Sequence, residues 1–130
     1  MPMDDQGWFA GMVRACDHQE IEFARPRVGP QHLPGLVELY GTLASWDQRL
    51  CLVQLVQDRH EPALQPIMLD ILRAPERDDD QAELTKAAAL CYLDGNSDLF
   101  MTYYEDRDAL NAAVDKVLRA NGLQLAPPEN

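Results

Sequence analysis

Residues 18 to 22 combine a histidine with two carboxylates, a set that can hold a metal ion or move a proton. The segment is His18-Gln-Glu20-Ile-Glu22. Zinc sites on a helix usually need a second histidine four residues away, so that both imidazoles project from one face. This segment has one histidine, and the chain has neither a nucleophile-elbow serine nor a glycine-rich phosphate loop. We therefore predict no catalytic residues, no metal ligands and no cofactor, with a metal-dependent enzyme as an alternative.

Three consecutive aspartates, Asp78, Asp79 and Asp80, supply the hard oxygen ligands that calcium and magnesium prefer. They lack the interleaved spacing and the central glycine of a calcium-binding loop. A carboxylate just before a helix can instead accept hydrogen bonds from the exposed backbone amides of the first turn. We interpret this run as helix capping in solvent.

The three cysteines, Cys16, Cys51 and Cys91, are odd in number and far apart in the sequence. Two of them lie inside apolar helical patterns, so we interpret them as small buried hydrophobic residues. No pair has the close spacing of a zinc or redox motif. We expect a reducing, cytoplasmic compartment, because the first thirty residues contain neither a secretory signal nor a transmembrane span.

Four aromatic residues are candidates either for the core or for an interface: Trp46, Phe100, Tyr103 and Tyr104. Core packing is the default interpretation, although Trp and Tyr are also frequent anchors of protein interfaces. Tyr103 and Tyr104 are adjacent on a predicted helix and point in different directions. We therefore expect one of the two to be accessible.

Charge distribution is the strongest functional clue in the sequence. The chain carries a net charge of −11, and residues 76–115 hold eleven acidic and three basic side chains, a net charge of −8. Such a balance disfavours nucleic acids and anionic membranes and favours a basic protein partner, while high solubility alone is the alternative. The predicted partner-binding residues are Asp78, Asp79, Asp80, Glu83, Asp94, Asp98, Tyr104, Glu105 and Asp108.

Apolar residues recur at offsets of three and four along most of the chain, which predicts an all-α protein. The predicted helices span residues 33–44, 46–58, 62–73, 80–94, 97–104 and 107–121. Residues 1–32 are predicted to form a short helix and a proline-rich connector, with a short extended piece at Ile21–Phe23 as an alternative. Residues 123–130 are predicted to be a loose tail, and the whole of 1–130 a single domain.

Local signals mark several of the predicted helix ends. Ser45 followed by Gln48 has the form of a capping box, and Asp106 suits the start of the last helix. Gly95 suits a left-handed stop, and Asn121-Gly122-Leu123 resembles a Schellman motif. Helices joined by such short loops are expected to pack as antiparallel hairpins.

A basic residue leads an apolar block in two of the predicted helices: Arg49-Leu-Cys-Leu-Val-Gln-Leu-Val and Lys86-Ala-Ala-Ala-Leu-Cys-Tyr-Leu. This pattern, within residues 33–121, resembles HEAT-like repeats. In that family an Asp and an Arg are frequent near the start of the second helix, and Asp47 and Arg49 look like a shifted version of them. The Pro62-Ala-Leu64 opening also looks like the start of such a repeat. The resemblance implies a short α-solenoid of stacked hairpins that serves as a protein-binding scaffold, and a closed helical bundle is the alternative.

Together these features favour a non-catalytic protein-binding module. The most concrete hypothesis is a bacterial immunity protein that neutralises a toxin with a basic cleft. An adaptor or subunit of a larger protein assembly is the alternative, in which an apolar groove would dock a partner helix.

Overall fold

The computed structural model describes residues 5–77, 79–95 and 97–127, and all regular structure in these residues is helical. Eight α-helices are present in them: α1 (Asp5–Ala15), α2 (His18–Ala24), α3 (Leu33–Tyr40), α4 (Trp46–Val56), α5 (Gln65–Arg73), α6 (Asp80–Asp94), α7 (Phe100–Glu105) and α8 (Arg107–Ala120). One-turn 3₁₀ helices lie at Arg25–Arg27, Pro30–His32, Pro62–Leu64 and Ser97–Leu99. The predicted all-α class is confirmed.

The chain divides into two compact units, Met1–Leu64 and Gln65–Asn130. Each unit has its own buried apolar side chains. The single-domain organisation over residues 1–130 and the stacked arrangement of hairpins stay predictions. No helix in the described part of the chain is both long enough and apolar enough to cross a bilayer.

In the first unit, called unit 1 below, α4 is the most buried helix. Six of its eleven residues are buried, and it packs against α1, α2 and α3. Ser45 caps its start, because the hydroxyl accepts a hydrogen bond from the Gln48 amide. The Gln48 side chain in turn accepts from the amide of Ala44, so the reciprocal bond reaches one residue further back than in a standard capping box.

Residues 18–24 form the helix α2, and the extended piece suggested for Ile21–Phe23 is not present. The carboxylate of Asp17 accepts a hydrogen bond from the amide of Glu20 and thereby caps the helix. Ile21 and Ala24, three residues apart, are buried on one face. This cap and the burial of two apolar residues stabilise the short helix. Seven residues are too few for the apolar spacing to predict it clearly.

In the second unit, called unit 2, α6 packs against α5, α7 and α8. Asp79 and Asp106 cap α6 and α8 by accepting hydrogen bonds from the amides of Ala82 and Ala109. Gly95 ends α6 in the left-handed conformation, with φ of 73°. The predicted Schellman motif after α8 is also confirmed, because Leu123 donates its amide to Leu118 and Gly122 donates to Arg119.

Lys86 is a charged residue inside unit 2, with 1% of its surface exposed. Its ammonium group donates hydrogen bonds to the carbonyls of Ala74 and Glu76, both at 2.7 Å, in the segment that follows α5. Burial and the nearby guanidinium of Arg77 lower the pKa of Lys86 to about 8, although neighbouring carboxylates partly oppose this effect. The side chain therefore ties the end of α5 to α6.

Candidate functional site

Three of the predicted partner-binding residues, Asp79, Asp80 and Glu83, lie at the start of α6 and make contacts within unit 2. Asp79 caps α6 with its side chain. The guanidinium of Arg107, at the start of α8, pairs with Asp80 at 3.6 Å and with Glu83. Asp78 lies outside the described residues. The pairs with Arg107 join α6 to α8, and the Asp79 bond caps α6, so all three residues make contacts within the unit in addition to any role in binding.

The other five predicted residues are exposed, and they lie on or beside α7. Asp94 ends α6, and Asp98 lies in the turn that leads into α7. Tyr104 and Glu105 belong to α7, and Asp108 lies in the first turn of α8. The helix α7 packs against α6, against α8 and against the turn Ser97–Leu99. These five residues therefore come from adjoining segments of one unit.

Every residue of α7 is exposed or half-buried, and two of its large apolar side chains are exposed. Met101 is 54% exposed and Tyr104 is 55% exposed. The ring of Tyr104 stacks on that of Phe100, with centroids 6.3 Å apart and planes 7° from parallel. The expectation that one of the two adjacent tyrosines is accessible is confirmed, since Tyr103 is half-buried and Tyr104 is exposed.

Six exposed residues form what we call the α7 surface: Asp94, Asp98, Met101, Tyr104, Glu105 and Asp108. The three bases of residues 76–115 each make contacts or are buried within unit 2. Arg77 pairs with Asp115, Arg107 pairs with Asp80 and Glu83, and Lys86 is buried. Burial, followed by the charge of Asp94, raises the pKa of Tyr103.

Unit 1 contains a second cluster of polar side chains, which sequence spacing did not indicate. Within residues 5–77, 79–95 and 97–127, one group of three potential metal ligands has its ligand atoms within 4.8 Å of one another: Cys16, Asp47 and Cys51. His18 adjoins this group. Its Nε2 lies 3.1 Å from Asp47 Oδ1 and 3.7 Å from Cys51 Sγ. We call these four residues the Cys–His–Asp cluster.

Three helix ends assemble the cluster. Cys16 follows the last residue of α1 and has a left-handed backbone, with φ of 56°. Asp17 then caps α2, so that His18 is the first residue of that helix. Asp47 and Cys51 lie four residues apart on α4 and share one face of it. The packing of α4 against α1 and α2 brings these pairs together.

Hydrogen bonds fix the orientation of His18. Its Nδ1 lies 2.9 Å from Gln54 Oε1. This bond, together with the hydrogen bond and charge of Asp47, raises the pKa of His18, while partial burial acts in the opposite direction. The side chains of His18 and Asp47 remain 45% and 42% exposed, so the cluster is open to solvent.

Both thiols of the cluster have raised pKa values. Burial, followed by the neighbouring Cys16, raises the pKa of Cys51 to about 12. Burial and Asp47 likewise raise the pKa of Cys16. A catalytic cysteine needs a thiolate at neutral pH, which positive neighbours normally provide.

His18, Glu20 and Glu22, which the sequence places in one segment, lie in separate surroundings in the structure. Glu20 accepts a hydrogen bond from the indole of Trp8 at 3.2 Å, and Glu22 is exposed. His18 instead faces α4. The signals that could have revealed this were Cys16 and His18 two residues apart, and Asp47 and Cys51 four residues apart.

Comparisons with protein-family models, curated proteins and solved structures found no match to this chain. The resemblance to HEAT-like repeats therefore stays a prediction. The two residues that suggested it make separate contacts: Asp47 pairs with His18, and the guanidinium of Arg49 lies 4.5 Å from the centre of the Trp46 ring.

Proposed function

We propose that this chain is a non-catalytic binding protein that recognises a basic region of another protein through its α7 surface. The observation that carries the proposal is the exposure of Met101 and Tyr104 on a short helix whose neighbouring segments present exposed carboxylates. An apolar centre with a polar rim is the usual anatomy of a protein interface. Tyrosine and methionine are both enriched at such centres.

The charge of the surface determines the kind of partner. Asp94, Asp98, Glu105 and Asp108 are exposed, and the three bases of residues 76–115 are engaged within unit 2. The resulting negative potential attracts a basic partner and accelerates its association, while it repels phosphate backbones. A bacterial immunity protein for a toxin with a basic cleft is the most concrete form of this proposal.

The stacked pair of Phe100 and Tyr104, with Met101 beside it, also favours a second candidate function. An adaptor could dock an apolar helix of a larger assembly on the same residues. The two functions differ in their dependence on salt. Binding to a basic cleft weakens steeply as the salt concentration rises, whereas docking of an apolar helix changes little.

Affinity measurements on two triple variants of equal net charge test the proposal. One variant, D94N/E105Q/D108N, removes three carboxylates of the α7 surface. The other, E22Q/E38Q/D58N, removes three exposed carboxylates of unit 1. Binding to basic candidate partners, beginning with the product of the adjacent gene, is measured by titration calorimetry at low and physiological salt.

We expect the α7 variant to bind about tenfold more weakly, which corresponds to roughly 1.4 kcal/mol, and the unit 1 variant to bind as the wild type does. An equal loss in both variants would show that only the total charge matters. That result, or the absence of binding to any basic candidate, would refute a specific α7 interface.

A further inference from the structure

We propose that Cys16, His18, Asp47 and Cys51 bind one zinc ion, and that this ion stabilises unit 1. The proposal is independent of the proposed function, because all four residues lie in unit 1 and the α7 surface lies in unit 2. The donor set consists of two sulfurs, one imidazole nitrogen and one carboxylate oxygen. Zinc accepts all three kinds of ligand, and thiolates select against calcium and magnesium.

The distances place the ligand atoms of Cys16, Asp47 and Cys51 close enough for one ion, and the imidazole of His18 lies beside Asp47 and Cys51. Zinc bonds of about 2.0–2.3 Å place two ligand atoms on a tetrahedron roughly 3.3–3.8 Å apart. His18 Nε2 lies 3.1 Å from Asp47 Oδ1 and 3.7 Å from Cys51 Sγ. The ligand atoms of Cys16, Asp47 and Cys51 lie within 4.8 Å of one another. His18 is not part of that group of three, so its imidazole must shift toward Cys16 to complete the site.

The partner of the other imidazole nitrogen supports the same assignment. Metal-bound histidines almost always donate their second ring N–H to an oxygen acceptor, which fixes the tautomer and the ring orientation. Here Nδ1 of His18 lies 2.9 Å from Gln54 Oε1. When Nδ1 donates to that oxygen, the lone pair of Nε2 is directed toward Asp47, where the ion would lie.

The backbone positions indicate a structural role for the ion. Cys16 and His18 flank the junction between α1 and α2, whereas Asp47 and Cys51 lie on α4. An ion at this point would join the α1–α2 junction to the most buried helix of unit 1. Because four protein ligands fill a tetrahedral ion, this site resembles structural rather than catalytic zinc sites, which keep one position open for water. Zinc binding would release the thiol protons and add to the stability of the fold.

The test uses the full chain, purified without chelator under reducing conditions. Zinc content is measured by mass spectrometry of the metal, and cobalt is titrated into the metal-free protein. We expect one zinc per chain and a thiolate-to-cobalt charge-transfer band. Zinc affinity should fall by more than about tenfold in C16S, C51S and H18Q. C91S, which changes the buried cysteine of unit 2, and H60Q, which changes an exposed histidine of unit 1, serve as matched controls and should keep full affinity.

A second measurement on the wild-type chain covers the case in which the C51S variant fails to fold. Alkylation of Cys16 and Cys51 is followed by mass spectrometry with and without added zinc, and Cys91 is the internal reference. Slower alkylation of Cys16 and Cys51 alone supports the site. Three results would overturn the proposal. The two cysteines could be alkylated equally fast with and without zinc, or a Cys16–Cys51 disulfide could be recovered from the metal-free and the zinc-treated protein alike. The third is that the cysteine variants retain zinc.

Discussion

Lys86 shows how one residue in an apolar pattern can acquire a structural role. The sequence indicated only that a basic residue precedes the apolar block of α6. In the structure its ammonium group is buried and donates to two backbone carbonyls beyond α5. A buried lysine is tolerated when such acceptors replace the lost hydration.

The lowered pKa of Lys86 predicts a specific dependence of stability on pH. The folded chain has a Lys86 pKa of about 8, below the ordinary value of 10.5, so between these values the unfolded chain binds more protons. The contribution of Lys86 to stability therefore rises with pH across this interval and is lost as the pH falls toward 8.

Urea unfolding of the wild type and of Lys86→Met, each at pH 7.5 to 10.5 in steps of about one unit, measures this effect. Relative to the variant, the wild type should gain up to about 3 kcal/mol of unfolding free energy. A difference that stays constant or decreases with pH would show that the ammonium group is not buried in solution.

Individual residues also mark the limit of prediction from the sequence. The capping roles of Ser45, Asp79 and Asp106 depend on neighbours three residues away, so local chemistry was sufficient to predict them. Cys16 and Cys51 come together only because α1, α2 and α4 pack against one another. The local spacings group Cys16 with His18 and Asp47 with Cys51, but they do not show that the two pairs meet.

At the scale of the elements, apolar periodicity located most helices well. The helix predicted at residues 80–94 has those bounds, because Asp79 caps its start and Gly95 ends it. The helix predicted at residues 33–44 ends earlier, at Tyr40, where Gly41 and Thr42 form a turn before the Ser45 cap. The helix α2 was missed because seven residues are too few for periodicity to be distinctive.

Replacement of glycine by alanine is predicted to have opposite effects on stability at Gly11 and at Gly95. Gly11 lies in the middle of α1, and an added Cβ meets nothing within 4 Å. Gly11→Ala should therefore stabilise the chain by about 0.5–1 kcal/mol. Gly95 has a φ of 73°, so Gly95→Ala should destabilise by about 1–2 kcal/mol, because a Cβ is unfavourable in the left-handed region. Thermal unfolding checks both, and stabilisation of the chain by Gly95→Ala would contradict the assigned helix end.

The exposed face of α7 is predicted to contribute little to folding. In the double variant M101S/Y104S, the unfolding free energy should change by less than about 1 kcal/mol, mainly through loss of the stack on Phe100. Leu110→Ala, at a buried position of the neighbouring α8, should cost about 2–5 kcal/mol and serves as the comparison.

Chemical denaturation compares these two variants directly, and binding to a basic partner is measured on the same samples. The double variant should bind more weakly while it remains as stable as the wild type. A loss of stability similar to that of Leu110→Ala would show that the apolar face of α7 belongs to the core.

At the scale of the whole molecule, the excess of acidic residues is concentrated in the part of the sequence that forms unit 2. Residues 76–115 carry a net charge of −8 out of −11. The sequence alone predicted this concentration, because charge can be counted without a fold. It could not distinguish carboxylates that stabilise α6 from those that are exposed beside α7, since that division depends on the packing of α8 and the position of Arg107.

Amide hydrogen exchange, measured by mass spectrometry with and without a bound basic protein partner, tests the central claim most directly. It compares both units in a single experiment and needs no substitution. The proposed function predicts that exchange slows in peptides covering residues 94–108, while peptides from residues 5–64 exchange at the rates of the free chain. Protection confined to residues 5–64, with residues 94–108 unchanged in the complex, would contradict recognition through the α7 surface.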